Sequence, residues 1–379
     1  LSQTRRSPAL LKPESQDMLR LDALRLIAAL GVVVFHFNRY LDLDGRWDAV
    51  NHTVRAFNLF VDLFFVVSGY VISSVYATRI TSLGAYGDFL LKRVARLGPL
   101  HWATLAFYVV LAVLAYAGDP RFHDPARYDF ACLAPNLLLV HAWGACNHQT
   151  FNFVSWSISA EWGLYLLFPA LLLLVRRGPV LTAAVAAAWL ALLFAASLLP
   201  GARHPFYEWT ADFGLLRAVP GFLIGMLAFR LRARLAALPA AGPVGWTLLA
   251  LFFVGAALGA HKGALLVNLY AAAVFIAAGD ASGRRPSAAT RALAPFGQLT
   301  YSLYMLHPLM LSIGLNLIGG GMLRLTGDAM RLWVLGCMVV LFPLSYLSLM
   351  LFERPARRWI STLRWRPAPG AAAPAAGEP

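Results

Sequence analysis

Acid is scarce in this chain. Of 379 residues only 13% are charged, and 18 Asp and Glu face 32 Lys and Arg. A soluble globular domain carries about 25% charged residues, so an ordinary water-soluble core is excluded. Cysteine is scarcer still, with three residues in all, which excludes a scaffold built on disulfides. The long apolar runs do not alternate with period two, which excludes a membrane β-barrel. Residues 1–18 lack an apolar segment or small-residue cleavage site, so no signal peptide is expected there. No internal repeat or appended soluble domain is evident.

Apolar residues make up 59% of the chain. They are gathered in runs nearly free of charge, such as 97–118, 178–202, 235–260, 292–323 and 332–352. Each exceeds the roughly 18 residues that mark a spanning helix. The fold class read from this is all-α, a polytopic transmembrane helical bundle of about ten spans. They fall near 21–39, 57–76, 97–117, 154–175, 179–199, 212–229, 244–260, 263–279, 297–318 and 331–352. The apolar piece 132–143 is too short to cross and reads as interfacial or re-entrant. Residues 1–18 then form a polar cytoplasmic N-terminus, 19–360 the membrane domain, and 361–379, rich in Ala, Pro and Gly, a disordered cytoplasmic tail.

With the N-terminus placed in the cytoplasm, the inner connections hold twenty-one Lys and Arg and the outer ones nine. The positive-inside rule therefore puts both termini in the cytoplasm. The net charge of +14 is mostly this orientation signal, so no nucleic-acid partner is expected. Cys132 and Cys146 share an expected outer loop, where an oxidising compartment permits a disulfide.

Polar groups inside the spans carry the chemistry, because ionisable side chains in a bilayer are costly and face a cavity or a partner. Arg25 and His36 lie 11 residues apart in the first span. That spacing returns to nearly the same helix face after a rise of about 16 Å. Asp22, three residues before Arg25, is placed to pair with it. Asp62 is a lone acid in the second span, and Glu161 stands near the outer end of the fourth. His307 precedes Pro308, which disfavours regular helix there. For Asp62, Glu161 and His307 an interhelical structural hydrogen bond competes with a chemical role. Arg93 and Arg96, one helical turn apart before the third span, read either as inside-positive charge or as a phosphate clamp. Trp156, Trp162 and Tyr165 read as interfacial packing.

Taken in order, these residues resemble the acyltransferase-3 family of integral membrane acyltransferases, over roughly residues 19–360. The carriers are Arg25 with His36, the stretch from Asp62 to Ser68-Gly69-Tyr70, Arg93 with Arg96, Trp156-Ser157-Ile158-Ser159-Ala160-Glu161, Thr300-Tyr301-Ser302-Leu303-Tyr304-Met305-Leu306-His307-Pro308, and Phe352-Glu353-Arg354-Pro355. The resemblance implies ten helices in the bacterial inner membrane and transfer of an acyl group, often acetyl, from cytoplasmic acyl-CoA to a hydroxyl. Implied acceptors are glycans, glycolipids and some macrolide antibiotics; the chain resembles the stand-alone type without a fused extracytoplasmic domain. No resident cofactor or metal is expected, acyl-CoA being a substrate.

The residues fit that chemistry. Arg25, Arg93 and Arg96 offer cations to the anionic end of acyl-CoA. His36 is the candidate general base, with Asp62 or Glu161 to orient it. Ser68, Tyr304 and His307 are read as acceptor-side or structural. An acyl-histidine intermediate competes with direct attack by the acceptor. A proton-coupled transporter is the rival of another class, since buried Arg, His, Asp and Glu also build proton relays.

Overall fold

The computed structural model describes residue 11 and residues 17–41, 47–118 and 127–363. The described residues are helical, with no strand among them. The principal helices are α1 (Leu19–Phe37), α2 (Phe60–Tyr76), α3 (Leu83–Tyr116), α4 (Trp156–Arg177), α5 (Pro179–Ser197), α6 (Gly214–Arg230), α7 (Ala241–Ala257), α8 (Lys262–Ala281), α9 (Thr300–Leu309), α10 (Gly327–Leu347) and α11 (Arg354–Thr362). A short helix, Asp48–Ala56, leads into α2, and α9 continues as π-helical winding over Met310–Met322. Against the expectation at Pro308, regular α-helix runs through that residue to Leu309, and the winding changes only from Met310. Seven helical segments are long and apolar enough to cross a membrane, and Ala241–Ala257 is a shorter apolar helix. The polar N-terminus and the tail expected from 361 fall largely outside the described residues, although α11 runs on to Thr362.

Contacts sort the helix ends into two groups. At one end Arg20 donates to the carbonyls of Gly279 and Arg284, each at 2.9 Å. Arg93 donates to the Tyr76 hydroxyl at 3.2 Å, Arg176 to the Ala77 carbonyl at 2.7 Å, and Arg354 to the Gln298 side chain at 2.5 Å. This is the arginine-rich end. The opposite end carries the Cys132–Cys146 disulfide, with Cα atoms 6.1 Å apart. The piece around 132–143 does not cross: it forms the short helix Leu133–Leu137 and then turns at Gly144, where φ is 86°.

Two local features position the site. The N-terminus of α1 lacks a side-chain cap of its own, and Asp280 at the end of α8 supplies one. Its carboxylate accepts from the backbone N–H groups of Arg20 and Leu21, each at 3.0 Å. A carboxylate there meets orphan donors and the positive end of the helix dipole, which fixes α1 lengthwise and with it Arg25 and His36. Helices α2 and α6 touch backbone to backbone. A Cβ on Gly69 would lie 2.1 Å from the Phe222 carbonyl oxygen, and one on Gly225 would lie 2.0 Å from that of Val66. Small residues at such a crossing let helices approach closely without a hydrophobic drive between them, which accounts for the glycine beside Ser68.

Candidate active site

At the arginine-rich end α1, α2, α3, α4 and α9 line a partly open cavity. Its wall includes Arg25, Ser68, Arg93, Arg96, Glu161 and Tyr304. Six of the nine residues singled out from the sequence thus line one void. They come from five helices, so the convergence is a property of the packing and not of any one segment.

Arg25 follows the sequence reading, with its guanidinium 3.4 Å from Asp22 one turn earlier. Arg93 is buried, and its guanidinium lies over the rings of Tyr76, Phe89 and Tyr165 at 5.2, 5.9 and 5.9 Å. Aromatic faces hold a cation without neutralising it. The Arg93 Nε is buried with no hydrogen-bond partner among the described residues. Glu161 accepts from Ser68 at 2.6 Å and from Tyr165. Tyr165, read from sequence as interfacial packing, is therefore part of the cavity's polar floor. Ser157 donates to the Tyr304 hydroxyl at 2.8 Å, and Tyr301 donates to the Leu97 carbonyl at 2.5 Å, tying α9 to α3 beside the arginines.

The histidines lie further along. Tyr304 lines the cavity, and one turn later on α9 comes His307, with ring centroids 5.8 Å apart. His307 stacks on His36 with centroids 5.1 Å apart and planes 26° from parallel. Phe35 and Phe153 meet the His36 ring edge-on, each at 4.9 Å. The His307 Nδ1 faces the Leu303 carbonyl at 3.3 Å. A carbonyl only accepts, so Nδ1 is the donor in this contact. That Nε2 is buried with no hydrogen bond among the described residues. Two imidazoles 271 positions apart in sequence therefore form one unit, and His307 is more intimate with His36 than the acceptor-side reading implied.

Asp62, one of the two candidates to orient His36, is engaged with another residue. Its carboxylate takes a bidentate pair from Arg217 of α6, with Nε at 3.1 Å and Nη2 at 2.6 Å. Arg217 also donates to the carbonyls of Trp209 at 3.0 Å and Asn58 at 3.3 Å, and stacks over Trp156. Both side chains are almost wholly buried, at 2% and 0% exposure. Both Asp62 oxygens accept from Arg217, and the other Arg217 donors go to backbone carbonyls. Glu161, the other candidate, has its hydrogen bonds on Ser68 and Tyr165. Among the described residues no group of three or more His, Cys, Asp or Glu could hold a metal ion.

A helical bundle with three arginines and a carboxylate on one cavity, and a pair of stacked imidazoles one helical turn beyond its Tyr304 wall, defines the class. The family model described as an acyltransferase domain matches residues 18–352, nearly the whole chain. The chain belongs to this acyltransferase-3 family and is an acyltransferase. It is similar to Acyltransferase MdmB of Streptomyces mycarofaciens, 27% identical over 82% of this chain and 83% of that protein. It is also similar to protein 2 in the picA locus of Rhizobium radiobacter, 30% identical over 40% of this chain and 76% of that one. A putative O-acetyltransferase of Staphylococcus aureus strain COL is 28% identical over 40% of this chain, which is 24% of its own length. No solved structure matches the chain. Family membership sets aside the transporter.

Proposed function

We propose that the chain transfers an acyl group, acetyl in the first instance, from cytoplasmic acyl-CoA to a hydroxyl of a glycan or glycolipid. One observation carries the reading: Arg25, Arg93 and Arg96 share a cavity that leads, by way of Tyr304, toward His36 and His307. An acyl-CoA is polyanionic at one end and a thioester at the other. Along the continuous helix α1, His36 lies about 16 Å beyond Arg25, a gap that an extended pantetheine arm spans.

In the proposed reaction His36 accepts the proton of the acceptor hydroxyl as its oxygen attacks the thioester carbonyl. The C–S bond breaks as the tetrahedral intermediate collapses, and the proton passes to the departing sulfur. His307 packs the His36 ring in place. Ser68, Glu161 and Tyr165 form a hydrogen-bonded polar wall beside the donor arm. The O-acetyltransferase names among the shorter matches support transfer of an acetyl group to a hydroxyl; the long match is named only as an acyltransferase, so a small-molecule acceptor such as a macrolide is the alternative outcome of an acceptor screen.

Arg96→Ala should weaken binding of acetyl-CoA more than it slows turnover at saturating donor. Removing a charged hydrogen bond to phosphate costs about 1.5–3 kcal/mol, or roughly ten- to hundredfold in affinity. Arg93→Ala should add to the loss and also cost stability, because Arg93 fills its aromatic cage. Titration of acetyl-CoA into the purified variants checks this, and unchanged affinity in the double variant would reduce the pair to topology charges.

We place the protein in the bacterial inner membrane as a multi-pass chain of ten spans, both termini cytoplasmic. The twenty-one to nine basic asymmetry and a disulfide in a loop expected outside both support this orientation. Reporter fusions near residues 85, 235, 287 and 365 should read inside, and those near 125 and 325 outside. An external reading at 85 would remove the arginines from cytoplasmic acyl-CoA.

A further inference from the structure

A second, partly open cavity adjoins the first, and Arg25, Arg96, Thr300 and Tyr301 line both. The rest of its wall includes Gln298, Glu353, Arg354 and Arg357. Four guanidinium side chains from α1, α3 and α11 therefore face one void. Glu353, the single carboxylate in the wall, accepts from Ser302 at 2.6 Å and from Ser348 at 2.7 Å. Arg354 is held by the Gln298 side-chain oxygen at 2.5 Å and by the Met350 sulfur at 2.9 Å, both neutral. On α11 Arg354 and Arg357 are one turn apart and share a face. Pro355 suits the first turn of that helix, where no N–H is needed.

Like charges gathered round a cavity repel one another, and a polyanion with planar acceptor oxygens relieves that repulsion. The inner cavity differs in character, adding an apolar wall of Val61, Phe64, Phe65, Val67 and Val71 to its arginines, Glu161 and hydroxyl groups. Resting on the donor reading above, we infer that the outer cavity is a vestibule that seats the phosphate-bearing nucleotide end of acyl-CoA, with Arg354 and Arg357 as binding residues beyond Arg25 and Arg96. The inner cavity then takes the pantetheine arm. The two arginines that line both cavities stand at the junction, where the pyrophosphate meets the arm. The C-terminal helix thereby becomes part of the donor site.

The test titrates CoA and pantetheine separately into the full-length protein in nanodiscs, for the natural chain and for Arg354→Gln and Arg357→Gln. The natural chain should bind CoA at least about tenfold more tightly than pantetheine. Each variant should lose about tenfold or more in affinity for CoA and bind pantetheine as before. Unaltered pantetheine binding also shows that the variants fold. If both variants keep full CoA affinity, the vestibule assignment falls while the donor reading stands. If pantetheine affinity falls in step with that for CoA, the arginines support the fold and the assignment falls. A natural chain that binds no CoA overturns the donor reading itself, and the vestibule with it.

Discussion

His36→Ala should lower acyl transfer by roughly 10²–10⁴-fold, the usual loss on removing a general base, while the protein inserts, folds and binds CoA as before. The expectation is positional. His36 stands on the same helix as Arg25, which is anchored end-on by Asp280, and its ring is held between Phe35, Phe153 and His307. Such packing leaves the imidazole little rotational freedom. His307→Ala is the matched comparison, and its loss should be smaller, because it removes a positioning ring and leaves the base. The pH profile separates the roles: His307→Ala should keep the profile of the natural protein, whereas His36→Ala should lose the limb set by the base. Loss of activity in His307→Ala with near-normal transfer by His36→Ala would move the base to α9.

Asp62→Ala should destabilise the protein by about 3–5 kcal/mol, because it leaves the Arg217 guanidinium charged and uncompensated in the bundle interior. Arg217 is 1% exposed, so no relaxation toward water offsets the loss. The double replacement Asp62→Leu with Arg217→Met should recover most of that stability, since apolar residues of similar volume often replace a buried pair without cost. Unfolding in detergent, compared among the natural chain, the single variant and the double variant, measures both effects. A single variant with unchanged stability but no activity would return Asp62 to the catalytic group.

The helices were legible because the apolar runs are long and nearly free of charge; each expected span overlaps a helix, although α3 begins at Leu83, well before the expected start at 97, and seven segments are long and apolar enough to cross. Pairings within one helix were legible too. Asp22 with Arg25, and Arg93 with Arg96, follow from helical spacing alone. Pairings between helices were not. Asp62 and Arg217 are 155 positions apart, and only their being lone opposite charges in separate apolar runs hinted at the match. Helical spacing likewise cannot bring His307 to His36, since that contact depends on how α9 crosses α1. Aromatic composition reads Tyr165 as interfacial packing because it does not reveal a hydroxyl's partner. Arg354 and Arg357 were counted as orientation charges, and a count of basic residues does not distinguish those facing lipid headgroups from those facing a cavity.

The most direct test of donor use and of the base follows a labelled acetyl group. Inverted membrane vesicles from a bacterial host expressing the chain, and carrying their own lipid-linked glycans, are given labelled acetyl-CoA. Vesicles with the natural protein should release free CoA and move the label onto glycan hydroxyls, well above matched vesicles carrying His36→Ala. Acetyl-CoA that stays intact, or is consumed no faster than with His36→Ala, would contradict transfer from acyl-CoA by way of His36.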